Sequence, residues 1–89
     1  MPNTESAKKR VRQNVKRRAL NRWRLRTMRT AIKTFDKAIA DGQLDAAADA
    51  FKTASAVVDK TAQKGVIHRN QAARRKSRMH ARLKKATLG

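Results

Sequence analysis

The sequence predicts an all-α protein, a three-helix bundle with a long, projecting and highly basic first helix. The chain is rich in Ala, Arg, Lys and Leu, which favour helix. Its interior glycines lie in two segments, ADGQ at 40–43 and KGVI at 64–67, which divide the chain into three parts. Apolar residues recur in each part at the spacing of one helical face. We therefore predict a single helical domain, 1–89, with helices over about 5–40, 44–64 and 68–86.

Each predicted helix has an apolar stripe that we interpret as bundle core. Either Asn3 or Thr4 can cap the start of the first helix. The stripe residues are Met28, Ala31, Ile32, Phe35, Ala38 and Ile39 in the first helix, Leu44, Ala47, Ala48, Phe51, Ala54, Val58 and Ala62 in the second, and Ala72, Met79, Leu83 and Ala86 in the third. Ser55 falls on the second stripe and is small enough to pack there.

The predicted helices differ in length, which leaves half of the first one uncovered. At 1.5 Å per residue the first helix measures roughly 54 Å and the others about 30 Å. Short loops make neighbouring helices antiparallel, so the second helix covers the first only from Ile39 back to about Leu20. A helix that is polar on all sides and unpacked is not stable alone. We therefore expect residues 5–22 to be disordered in the free protein and helical on a partner.

The charge distribution indicates what that partner is. The formal net charge is +18. Residues 1–35 contribute +11, residues 36–59 contribute −3 and residues 60–89 contribute +10. A polyanion relieves such self-repulsion, and arginine forms bidentate bonds to phosphate oxygens. Because the basic residues surround the first helix, a crevice in folded RNA fits better than the single side offered by a straight duplex.

Two segments dense in Lys and Arg, 8–26 and 64–78, therefore contain most of the candidate RNA-binding residues. Amides among the bases of the first segment can both donate and accept, so they can reach ribose hydroxyls or base edges. The second segment begins the third helix, where backbone N–H groups attract phosphate. We expect the two segments to converge into one patch. The candidates are Ser6, Lys8, Lys9, Arg10, Arg12, Gln13, Asn14, Lys16, Arg17, Arg18, Asn21, Arg22, Arg24, His68, Arg69, Asn70, Arg74, Arg75, Lys76, Ser77, Arg78 and Arg82. Trp23 can stack on a base or close the end of the core, and its position favours the core.

The sequence offers nothing for catalysis. There is no Cys, and His68 and His80 lack further residues to complete a metal site, so we expect no metal, no cofactor and no enzymatic activity. There is no apolar run of the roughly 20 residues that span a bilayer, and the N-terminal stretch has no signal-peptide core. We expect a cytoplasmic protein that binds no membrane and no small-molecule substrate.

Three segments of the chain resemble the bacterial small-subunit ribosomal protein family numbered twenty. They are SAKKRVRQNVKRRALN (6–21), RTAIK (29–33) and KGVIHRNQAARRKSR (64–78). The resemblance covers essentially the whole chain. It implies a three-helix bundle that binds 16S ribosomal RNA directly, with few protein contacts, through Lys and Arg residues of 8–26 and through the His68–Arg78 segment. The sequence departs from the family pattern at Trp23, which lies in a usually polar or small-residue stretch.

Two other classes of protein compete with this prediction. A DNA-condensing nucleoid protein would explain the charge, but not the interleaved amides or the acidic middle of the chain. A membrane-active cationic peptide would need a separate apolar face, which the projecting helix lacks. The prediction is therefore a structural constituent of the small ribosomal subunit.

Overall fold

A computed structural model describes residues 4–88, which form three helices and no strand. Helix α1 is Glu5–Ala40, α2 is Leu44–Gln63 and α3 is Arg69–Leu88. Helix α2 packs against both α1 and α3, whereas α1 and α3 touch over a shorter stretch. The predicted all-α class with a long first helix is confirmed.

The ends of α1 and α2 are fixed by local hydrogen bonds. Thr4 is the N-cap of α1, and its hydroxyl accepts from the Ala7 N–H at 3.3 Å; Asn3, the other candidate cap, lies outside the described residues. Gly42 and Gly65 follow α1 and α2 with φ of 72° and 77°, a conformation that disfavours other residues. The next N–H in each case bonds back to the helix, from Gln43 to Ala38 and from Val66 to Thr61. Both ends are therefore Schellman motifs.

The bounds of α2 and α3 differ from the predicted ones by one or two residues. Helix α2 ends at Gln63 rather than 64, because Lys64 is its C-cap. Helix α3 begins at Arg69 rather than 68, because His68 lies before the helix and its Nδ1 accepts from the Asn70 N–H at 3.1 Å. It continues to Leu88, two residues beyond the prediction. Neither Thr87 nor Leu88 breaks the helix, and the Thr87 hydroxyl donates to the Leu83 carbonyl at 2.8 Å.

The core lies in the half of the molecule where all three helices overlap. Its buried apolar residues are Met28, Phe35 and Ala38 of α1, Ala47, Ala54 and Val58 of α2, and Ala72 and Met79 of α3. All of these were predicted from the apolar stripes. Thr61 is also buried, which the stripes missed; its hydroxyl donates to the Val57 carbonyl at 2.7 Å and so needs no other partner.

Some residues predicted to be core lie at its edge. Leu44 is exposed at the first turn of α2. Phe51 is half-buried, with its ring centroid 6.0 Å from that of Phe35 and 5.9 Å from that of His80. Ser55 packs on the predicted face, but its buried hydroxyl finds no hydrogen-bond partner among the described residues.

The first half of α1 extends beyond the bundle. We call residues 5–22 the basic arm. Every residue from 10 to 20 is exposed, including Val11 and Val15, at 62% and 63%. The molecule is elongated, with extents of 63 × 22 × 16 Å. The expectation that α2 leaves this half of α1 uncovered is correct.

Candidate nucleic-acid interface

The basic arm presents its positive charge without neutralisation. Its basic residues are Lys8, Lys9, Arg10, Arg12, Lys16, Arg17, Arg18 and Arg22, and all of them are exposed. The two ion pairs found within residues 4–88 both lie in the bundle. The arm's cations are therefore free of carboxylate partners in the described chain and available to an external anion.

The polar residues of the arm are placed among these charges. Gln13 lines a shallow groove with Lys9, Arg12 and Lys16, and Asn14 is exposed beside it. Asn21 is half-buried where the arm enters the bundle. Ser6 lies in the first turn, with its hydroxyl oxygen 3.2 Å from that of Thr4. The arm thus offers amide donors and acceptors within reach of the same surface as its cations.

A second basic surface runs between α1 and α3. A shallow groove there, which we call the α1/α3 groove, is lined by Ile32, Asp36, Arg75, Arg78, Met79 and Arg82. One of its arginines is already paired, because Arg82 Nη1 donates to Asp36 Oδ1 at 2.6 Å. Arg75 is half-buried and Arg78 is exposed. The groove therefore contains three guanidinium groups and only one carboxylate.

Basic residues of α1 join this groove to the arm. Arg22, Arg26, Arg29 and Lys33 line one shallow groove with Leu25 and Thr30. Residues seven apart share a helical face, so Leu25 and Arg29 lie above Ile32 and Asp36. Arg29 and Lys33 were not among the predicted site residues. Their spacing from Arg22, at seven and eleven positions, is a signal in the sequence that could have found them.

The start of α3 is less open than predicted. His68, Arg69, Asn70, Arg74 and Ser77 are exposed, but the Asn70 N–H is already satisfied by His68. Lys76 is drawn toward α2, because its Nζ lies 2.8 Å from Asp59 Oδ1. The two basic segments come together at one place, where Lys64, the C-cap of α2, lines a groove with Trp23 and Arg24. The α3 arginines meet α1 at a second place, beside Ile32 and Asp36.

Trp23 does not belong to the core, contrary to the position that the sequence favoured. Its side chain is 59% exposed. It lies one residue beyond the arm, where only the last turns of α2 reach α1, so no third helix closes over it. Arg24 is half-buried beside it.

The exposed face of α2 has the opposite character. Asp45 and Asp49 are exposed and have no ion-pair partner within residues 4–88. Two other acids of the bundle are paired with basic residues of α3: Asp36 with Arg82 and Asp59 with Lys76. Phosphate is attracted to the arm and to α3, and is repelled from the first turns of α2.

The described part of the chain contains no group of three metal-ligating side chains. None of its helices is long and apolar enough to cross a membrane. The arrangement consists of exposed cations, amides and one aromatic ring on a helical frame. Fold and surface together define a small basic helical protein of the kind that binds nucleic acid.

Comparison with known proteins narrows this class. The family model described as Ribosomal protein S20 matches residues 2–84. A protein of Aquifex aeolicus called small ribosomal subunit protein bS20 is 50% identical over 86 residues, covering 97% of this chain and 92% of the relative. Proteins of the same name from Psychrobacter cryohalolentis and Shouchella clausii are 48% and 49% identical, with at least 93% of each chain covered. The chain belongs to the ribosomal protein S20 family.

This membership confirms the resemblance seen in the sequence. A ribosomal protein of the small subunit is a structural constituent, so the prediction that the chain is not an enzyme is correct. Association with the ribosome and its RNA, and hence a cytoplasmic location, also follow from the family. The DNA-condensing alternative is not favoured.

Proposed function

We propose that this chain binds 16S ribosomal RNA directly, as a single RNA-binding unit, and stabilises the folded RNA of the small subunit. The basic arm enters a crevice of the RNA, and the α1/α3 groove with the adjoining face of α1 contacts a second stretch. The acidic face of α2 is turned away from the RNA. The chain makes few contacts with other proteins, because its apolar side chains are largely used inside the bundle.

One observation supports this proposal most strongly: the arm is a helix with exposed basic residues on all sides and no protein partner among the described residues. Lys9, Arg12 and Lys16 line one side of it, whereas Arg10 and Arg17 lie on another. A flat surface can neutralise only one side. Folded RNA can bring phosphates to several sides at once, which removes the like-charge repulsion along the helix.

The second contact is supported by the continuity of the basic surface. Arg22, Arg26, Arg29 and Lys33 extend from the arm to the α1/α3 groove without an intervening acid on that face of α1. Arg78 is the exposed guanidinium of the groove that has no ion-pair partner within residues 4–88. It is therefore the arginine of α3 most available for a phosphate.

Charge-matched variants of the full chain test this orientation. Arg78→Gln and the double variant Arg12→Gln/Lys16→Gln each remove positive charge from the proposed interface. Lys52→Gln removes it from the exposed face of α2. We expect Arg78→Gln to weaken binding to a 16S transcript about tenfold, or roughly 1.4 kcal/mol, and to lower the salt slope by about one. Lys52→Gln should have little effect, and equal losses for Arg78→Gln and Lys52→Gln would contradict the orientation.

A competition experiment tests which nucleic acid the protein prefers. Labelled 16S transcript bound to the protein is challenged with unlabelled 16S transcript, with an unrelated RNA of equal length and with duplex DNA of equal phosphate content. We expect only the 16S transcript to compete at near-equimolar concentration. Equal competition by duplex DNA would favour the nucleoid protein instead.

A further inference from the structure

A groove on another side of α1, where the end of α2 meets it, is not used by the proposed interface. Trp23, Arg24 and Thr27 of α1 line it, together with Val57, Lys60 and Thr61 of α2 and with Lys64, the C-cap of α2. We call it the Trp23 groove. Trp23 is the only tryptophan of the chain, and more than half of its side chain is open to solvent.

The two hydroxyl groups inside the Trp23 groove are already satisfied. The Thr27 hydroxyl donates to the Trp23 carbonyl at 2.9 Å, and the Thr61 hydroxyl donates to the Val57 carbonyl at 2.7 Å. Both hydroxyl hydrogens are therefore used within their own helices. What remains is an indole ring, the aliphatic surface of Val57 and the threonine methyl groups, with no free hydroxyl donor to select a hydrogen-bonding pattern.

The charged groups that line the groove are all positive. Arg24, Lys60 and Lys64 line it, and no acidic residue does. Lys60 and Lys64 are exposed, are one helical turn apart, and have no ion pair within residues 4–88. An occupant must therefore combine a flat apolar ring with negative charge close to it.

We infer that the Trp23 groove receives one unpaired nucleotide of the bound RNA, whose base stacks on the indole while its flanking phosphates contact Lys60 and Lys64. The inference rests on the proposed function, since it assigns this groove to the same RNA. Aromatic rings stack with any base, and lysine binds phosphate as a point charge. Because stacking on the indole depends on the face of the base and not on its edges, the groove accepts an unpaired nucleotide with little regard to which base it is.

The position of the groove favours RNA over a protein segment. Trp23 directly follows Arg22, the last residue of the arm, so RNA that neutralises the arm lies beside the groove. An acidic peptide would satisfy the lysines, but nothing beside the groove attracts such a peptide as the arm attracts RNA. A paired base cannot enter, because its faces are covered by its neighbours in the duplex. Only a nucleotide displaced from a helix, as in a bulge or loop, presents both a free face and its phosphates.

The test uses the fluorescence of this single tryptophan in the full-length protein. Four hairpin RNAs with the same stem are compared: one fully paired, one with a single bulged uridine, one with a bulged adenosine and one with an abasic residue at the bulge. We expect the bulged uridine to quench Trp23 emission and to bind about five- to 150-fold more tightly than the paired hairpin, equivalent to about 1–3 kcal/mol. The abasic bulge should give neither effect, and a bulged adenosine should behave like the uridine.

Variants separate stacking from charge. Trp23→Leu should abolish the preference for the bulged hairpin, whereas Trp23→Phe, which keeps a flat ring, should retain part of it. Lys64→Gln should weaken binding to all hairpins with the bulge, and Lys52→Gln is the charge-matched control. Helical circular dichroism of each variant checks that the exposed substitution leaves the fold unchanged.

Three results would overturn the inference. The first is equal quenching by the paired and bulged hairpins, and the second is an undiminished preference in Trp23→Leu. The third is a concentration-dependent shift of Trp23 emission without RNA, which would make a second copy of the chain the occupant. Each of these can occur while the protein still binds the 16S transcript, so the inference can fail and leave the proposed function intact. Failure to bind the transcript at all would instead refute the proposed function.

Discussion

Deleting residues 1–18 should leave the bundle folded and remove most of the salt dependence of binding to 16S RNA. The deletion ends before the first core residue, Met28, and before the residues that α2 reaches. It removes seven exposed basic residues, Lys8, Lys9, Arg10, Arg12, Lys16, Arg17 and Arg18. Each phosphate contact that a protein makes adds about 0.7–0.9 to the slope of log affinity against log salt concentration.

The size of the change depends on how RNA surrounds the arm. If phosphates approach from all sides, all seven cations count and the slope falls by about 5–6 in magnitude. If RNA touches one side only, about four count and the slope falls by about 3. We expect the larger value, since the basic residues are distributed around the whole axis of the arm.

The measurement is fluorescence anisotropy of a labelled 16S transcript, titrated with the full chain and with the shortened chain at several KCl concentrations. Thermal unfolding followed by circular dichroism confirms that the shortened chain is folded. A slope that falls by less than about one would refute the reasoning, because the arm would then contribute no more than a single phosphate contact. Unfolding of the bundle would equally refute it, since the arm would then be part of the stable fold.

The arm should also be largely disordered before RNA binds. Its helix has no packed face, and like-charge neighbours such as Lys8 and Arg12 oppose it by a few tenths of a kcal/mol per pair. Backbone NMR of the free protein should show fast amide exchange over 8–18 and slow exchange in the core. Adding 16S RNA should slow exchange in the arm. Stable helical shifts and slow exchange there without RNA would show that the segment is a preformed rod.

The bundle itself supports three further predictions. Phe35→Ala should lower the free energy of unfolding by about 3–5 kcal/mol, because the Phe35 ring is fully buried. Phe51→Ala should lower it by only about 1–2 kcal/mol, because Phe51 is half-buried. Urea denaturation measures both values, and equal losses would contradict the burial argument. Asp45→Asn with Asp49→Asn should change 16S affinity less than about threefold, and a tenfold loss would place these acids against RNA donors. Ser55→Ala should raise stability by about 0.5–1.5 kcal/mol, since it removes a buried unpartnered hydroxyl and adds helix propensity; a lower melting temperature would reveal a hidden partner.

Sequence alone predicted the helices and the core because both follow from local rules. The glycines after α1 and α2 mark the helix ends, and the apolar spacing selects the buried face of each helix. Thr61 was missed because the stripes contain only apolar residues. Thr61 can be buried because its hydroxyl donates to the Val57 carbonyl one turn earlier. Trp23 was misplaced because periodicity does not show how far a neighbouring helix extends over it.

The candidate site was predicted in outline but not in detail. Clusters of Lys and Arg can be read directly from the sequence, and they remain the basis of the proposal. Pairing between helices cannot be read in this way, since it depends on side chains far apart in the chain. Lys76 is drawn to Asp59 and Arg82 to Asp36, whereas Arg78 stays unpaired within the described residues. Neighbouring arginines with the same apparent role therefore differ in their availability to RNA.

The uninterrupted course of α1 has a consequence for assembly. No glycine or proline lies between Glu5 and Ala40, so once RNA holds the arm helical, the arm and the bundle share one stiff axis without a hinge. Adding or removing one residue between them would shift the arm by 1.5 Å and rotate it by about 100°. Two stretches of RNA held at the arm and at the bundle are thereby fixed in both separation and angle. The number of residues in the helix therefore matters to the assembly as much as their composition does.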